Sequence, residues 1–136
     1  MNDRIRTITA EMEKTERASE QSLDKLKAHF GVELPASYVE FMRTTNGAEG
    51  PIGKSEYLQI WSVEEVIQFN RGLDYITTEH PEWLFFGGMG SGSDYAFDTR
   101  YQPMRVVEVD LIDPDNNDVR GKSFDEFLEN LYAAEE

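Results

Sequence analysis

Apolar positions along the chain follow two periods. Leu23, Leu26 and Phe30 lie on one helical stripe, and Gly31 follows where a C-terminal cap belongs. After Pro35, residues Tyr38, Phe41, Met42 and Thr45 repeat at i, i+3, i+4 and i+7, and Asn46-Gly47 ends the run. Ser62 with Glu65 three residues on has capping-box spacing, ahead of the stripe Val63, Val66 and Ile67. Ser123 with Glu126 repeats the device ahead of Phe124, Phe127, Leu128 and Leu131. Ile5, Ile8 and Met12 mark one or two further helical turns near the N-terminus.

Between the third and fourth of these helices the period shortens. Trp83 to Gly87, Asp94 to Asp98 and Met104 to Leu111 are short aromatic or β-branched runs, and Tyr57 to Trp61 is another before the third helix. Their short connections suit antiparallel neighbours. Val107, Val109 and Leu111 share one strand face, while Glu108 and Asp110 share the other with Val106. This predicts a sheet with one side covered by helices and the other partly wet. The order ααβαβββα gives an α+β domain over residues 19–136, with residues 1–18 as an N-terminal extension.

Composition narrows the function. The 136 residues suit one domain with a substantial aromatic core, and the absence of cysteine excludes disulfides and thiolate chemistry. No apolar run approaches the roughly 20 residues of a membrane helix. The start, MNDRIRTITAEMEK, lacks the apolar stretch of a secretory signal, so a soluble cytoplasmic protein is expected. The net charge of −14 is carried entirely by residues 33–136, because residues 1–32 hold six basic and six acidic side chains. That sign opposes direct contact with nucleic acid or an anionic membrane and favours a basic protein partner.

Candidate chemistry is sparse. Gly87-Gly88-Met89-Gly90-Ser91-Gly92-Ser93 lacks the Lys and following helix of a phosphate loop, and reads as a turn. Asp113 to Asp118 begins like a calcium loop, but Asp118 stands where glycine is needed and Phe124 where glutamate is needed. His29 and His80 have no metal-ligand spacing. Asp94 and Asp98 fall on one strand face and are the residues a small hydrolase would use, but no motif supports catalysis, a cofactor or a metal. The stronger features are surface ones. Glu108, Asp110, Asp113, Asp115 and Asp118 place five acids in eleven residues without a base among them. Tyr57 and Trp61 fall opposite Leu58 and Ile60, on the open side of the sheet, although tryptophan fills cores more often than it binds.

Leu34-Pro35-Ala36-Ser37-Tyr38-Val39-Glu40-Phe41-Met42, followed by Asn46-Gly47, resembles the "LP-x-x-Y-x-x-F-hydrophobic … N-G" signature of the SUKH superfamily, the Smi/Knr-like proteins. A strand ending near Trp61, the helix VEEVIQFN, Leu84-Phe85-Phe86-Gly87, Tyr95-Ala96-Phe97-Asp98 and Ser123-Phe124-Asp125-Glu126-Phe127-Leu128 follow in matching order, so the resemblance covers roughly residues 19–132. It implies a bent, mainly antiparallel sheet with helices packed at the N- and C-terminal ends. It also implies a role. Small bacterial members are immunity proteins that neutralise a toxin, often a nuclease, whereas fungal relatives regulate cell wall and signalling. The expectation is a toxin-immunity protein that binds a basic toxin domain through an acidic surface. An intracellular adaptor on the same fold is the alternative. From charge and expected exposure, the binding residues are Glu108, Asp110, Asp113, Asp115, Asp118, Trp61 and Tyr57.

Overall fold

Serine caps start the helices as their spacing predicts. In the computed structural model, which describes residues 1–134, Ser62 accepts from the Glu65 amide while the Glu65 carboxylate accepts from the Ser62 amide. Ser123 caps the last helix on the Glu126 amide. Residues 135 and 136, the last two of the expected 19–136 domain, lie outside the described residues.

The elements are α1 (Asp3–Ile8), β1 (Glu13–Lys14), α2 (Glu20–Phe30), α3 (Ala36–Thr44), β2 (Ala48–Ile52), β3 (Glu56–Ile60), α4 (Val63–Gly72), α5 (Asp74–Thr77), β4 (Trp83–Gly88), β5 (Ser93–Asp98), β6 (Arg105–Asp110), β7 (Asn117–Gly121) and α6 (Phe124–Ala133). The seven strands form one open antiparallel sheet in sequence order, β1 to β7. This is the α+β architecture read from the sequence, enlarged by β1, β2, β7 and α5. Those strands escaped the pattern because β1 is two residues, β2 contains Gly50-Pro51, and β7 is exposed at every position but Gly121.

Asn46-Gly47 ends α3 for a steric reason as well as a conformational one. Gly47 has φ +87°, and a Cβ there would sit 2.6 Å from the Ile60 carbonyl oxygen, so only glycine lets the chain turn into β2 against β3.

One sheet face carries an aromatic core. Phe86 stacks on Phe97 at 4.2 Å, the Tyr38 ring of α3 meets Phe97 edge-on at 5.1 Å, and Phe127 of α6 meets Tyr95 at 4.7 Å. Ile5, Ile8, Met12 and Ala18 are buried too, so residues 1–18 contribute side chains to this core. Arg4 of α1 forks onto Glu129 of α6 at 2.8 and 2.7 Å.

The opposite face is drier than expected over β4–β6. Phe85, Ala96, Val107 and Val109 are buried there as completely as Val106 on the first face. The α4–α5 run accounts for it: α4 packs at β4, and the Tyr75 hydroxyl of α5 donates to the Leu111 carbonyl just beyond β6. Among the described residues, β1–β3 keep an open outer face, with Glu13, Glu49 and Tyr57 exposed, and β7 at the other edge is exposed as well.

One polar side chain links α4 to the sheet backbone. β3 pairs with β4 only at Gly87 and Gly88, which leaves the Phe85 amide and carbonyl on the β3 side without a strand partner. Asn70, itself buried, replaces that strand: its Oδ1 accepts from Phe85 N at 3.0 Å and its Nδ2 donates to Phe85 O at 2.7 Å. The same Nδ2 donates to the Val66 carbonyl at 2.6 Å. Removing the amide strands two buried backbone groups, each a loss of about 1–3 kcal/mol. Asn70→Ala should therefore lower the urea-unfolding free energy by about 2–4 kcal/mol.

Candidate functional site

The registers of six strand pairs define one row across the sheet. Glu13 faces Glu49, Glu49 faces Gln59, Gln59 faces Gly88, Gly88 faces Asp94, Asp94 faces Val109, and Val109 faces Asn117. Cross-strand partners project to the same side, so Glu13, Glu49, Gln59 and Asp94 form one polar band about 19 Å long on the α4 face, bounded by buried Val109. It ends on the open surface of β1–β3.

Two hollows lie along this band, and they share Gln59, Trp61 and Phe69. One, of 380 Å³, includes Glu13, Glu49 and Glu65 in its wall. The other, of 450 Å³, runs between the flank of α4 and Asp94, past Gln68 and Leu73. Among the described residues, neither hollow has a lysine or arginine in its lining. Lys14 projects to the other face and donates to the Thr9 carbonyl at 2.6 Å.

Two features of the band oppose the stability of the isolated protein. Glu13 and Glu49 are directly opposite across β1 and β2, and like charges in that position repel. The Tyr57 hydroxyl donates to Glu49, and this bond raises the phenol pKa because the carboxylate disfavours phenolate. The second feature is Asp94. Its carboxylate is partly buried against Gly88, in space that a Cβ at Gly88 would occupy, and has no hydrogen-bond or ion-pair partner among the described residues. Burial alone pushes it up to about 6.

Asp98 belongs to a different environment. It is buried, and Arg100 grips it through Nε at 3.0 Å and Nη2 at 2.7 Å. Burial raises this carboxyl, but the Arg100 hydrogen bonds outweigh it and leave the group below its ordinary value. Four residues of strand hold Asp94 and Asp98 about 13 Å apart, beyond the separations used by paired carboxylates in glycoside hydrolysis. The structure does not bring them together as a pair. Among the described residues, no group of three His, Asp or Glu side chains is placed to hold a metal ion.

The residues singled out from sequence separate into two places. Tyr57 is 44% exposed, on the open face as expected. Trp61 is on the same side but only 8% exposed, because Phe69 of α4 meets it edge-on at 4.7 Å. Trp61 is thus a buried side chain on that face, as tryptophan more often is: it forms the floor of the groove, and Phe69, 36% exposed, forms its rim. Phe69 stood in the helix pattern without drawing attention. Its place at the edge of the Val63–Val66 stripe was the available signal.

The five acids also differ from their expected grouping. Glu108 faces Asp118 across β6 and β7, and Arg120 meets both, at 3.1 and 3.6 Å, so the run without a base in sequence acquires one in space. Asp110 accepts from the Ile112 and Asp113 amides at 2.9 and 3.2 Å, which holds its pKa down. Asp113 and Asp115 are exposed in the β6–β7 turn. Glu108 and Asp118 share the Tyr95 face, opposite the band. The β6–β7 turn nevertheless adjoins the same end of the sheet, since the Leu111 amide donates to Gly92 in the β4–β5 turn at 3.2 Å.

A model of the SMI1 / KNR4 family (SUKH-1) matches residues 17–130. A search of curated proteins returns no match. Among the described residues, no helix is long and apolar enough to cross a membrane.

Asp94 binds its proton more tightly folded than unfolded. Its contribution therefore favours the fold below about pH 4 and is lost as pH rises through about 6. Asp94→Asn should raise the unfolding free energy by about 1–2 kcal/mol at pH 8, allowing for the water that still reaches the group. At pH 3.5 the gain should vanish, which urea titrations at the two pH values would show. Glu49→Gln should add a few tenths of a kcal/mol at neutral pH by relieving the Glu13 repulsion, less the loss of the charged partner of Tyr57.

Proposed function

Since the chain belongs to the SMI1 / KNR4 family (SUKH-1), we propose that it is an immunity protein whose acidic band binds a basic toxin domain and covers the groove the toxin needs for its substrate. The family supports a protein-binding role. The observation that carries the reading is the band itself: four carboxylates, of Glu13, Glu49, Glu65 and Asp94, line adjoining hollows that have no lysine or arginine in their walls among the described residues. A surface that repels itself when free gains most when a partner supplies the opposite charge.

Binding would proceed in two stages set by different residues. The −14 charge attracts a basic partner at long range and raises the association rate. At contact, Tyr57 and Phe69 supply the apolar area that slows release, and Trp61 supports Phe69 from beneath. Asp113 and Asp115 add charge at the adjoining turn. Glu108 and Asp118, neutralised in part by Arg120, contribute less. Inhibition is by occlusion and requires no chemistry.

Co-expression with toxin domains encoded beside the gene tests this directly. Rescue of growth and co-purification as a stable complex are the expected results. Failure against every such domain, with the protein folded, would favour an adaptor role on the same fold. In a complex so obtained, Glu49→Lys should slow association by about 3–10-fold and weaken its salt dependence. Asp113→Lys with Asp115→Lys should slow it less, while leaving dissociation nearly unchanged.

A further inference from the structure

The hollow beside Asp94 sets the aromatic side chains Trp61 and Phe69 in one lining with a carboxylate that has no partner among the described residues. Phe69 of α4 and Leu73 just past its end line it together with Trp61, Gln59, Gln68 and Asp94. Among the described residues no charged group answers that carboxylate, and Gly88 leaves it the space in which it sits. An ammonium would satisfy the charge but gain little from the walls. A guanidinium satisfies both, because its plane stacks on an aromatic ring while its edge donates two parallel hydrogen bonds to a carboxylate. The glutamine side-chain carbonyls can accept the remaining N–H groups. At 450 Å³ the hollow has room for an arginine side chain together with adjoining main chain.

We propose that the cleft between Phe69 and Asp94 is an arginine socket, and that the protein partner inserts one arginine side chain into it as the anchor of the complex. This rests on the protein-binding reading above and names the residue type that the partner must present. It adds a specific contact to a field that by itself attracts any basic surface.

The socket can be tested without the partner. N-acetyl-arginine amide, titrated into the full chain and followed by 1H–15N NMR, should bind with a Kd in the millimolar range. The shifts should centre on the Trp61 indole N–H and on the Gly88 and Asp94 amides. N-acetyl-citrulline amide, of the same shape without charge, should bind at least about tenfold more weakly. Asp94→Asn and Phe69→Ala should each weaken the arginine probe at least about fivefold, with Asp125→Asn, exposed on α6, as a control that leaves it unchanged. Absence of saturable binding would overturn the proposal, as would equal affinity for the citrulline probe or shifts centred on residues 113–118. The citrulline comparison uses the unaltered protein, so it stands even if a variant unfolds. Socket binding with no rescue by any toxin domain would keep the socket and reject the immunity role; rescue without socket binding would do the reverse.

Discussion

Asn70 replaces a strand with a side chain, and the arrangement of the molecule follows from that substitution. Where β3 leaves β4, a carboxamide supplies the donor and acceptor that a neighbouring strand would have provided. The sheet can therefore open at that point without leaving Phe85 unpaired. Because the amide projects from α4, the bond also fixes the helix against the opening. Phe69 lies one residue before it and is thereby set against Trp61. The groove is a by-product of how the sheet edge is satisfied.

The acidic band and the aromatic core play opposite roles in the energetics. The core face, with Tyr38, Phe86, Phe97, Phe124 and Phe127 fully buried, supplies stability in excess. The band gives some of it back, through Glu13 facing Glu49 and through a carboxylate half withdrawn from water. Such local costs are tolerated because they lie on an exposed face and at the margin of the core, where they do not disturb packing. Binding surfaces are often less stable than they could be, since groups arranged for a partner are poorly arranged for the free state.

Much of the helical architecture was legible because helix signals are local. Caps at Ser62 and Ser123, stops at Gly31 and Asn46-Gly47, and stripes of period 3.6 each lie within one segment. The sheet was legible only where it is buried, since β7 alternates nothing and β2 reads as a turn. The band was not legible at all. Its members run from Glu13 to Asp94 and meet only through registers that no single segment records. The same limit applies to Trp61, whose strand face is readable but whose cover depends on where α4 docks. It also hides Arg120, which reaches Glu108 and Asp118 because a bulge between Val106 and Val107 resets the pairing of β6 with β7.

The strictly sequential strand order bears on how such a surface can diversify. Every member of the band is placed by pairing with the strands next to it in sequence, with no crossover linking distant strands. The β4–β5 and β6–β7 turns project from the same end of the sheet and can change in length without altering the strand registers. A lineage can thus lengthen or recharge one turn to meet a new partner while the carboxylates behind it keep their places. The fold separates the parts that must be inherited intact from the parts that are free to change.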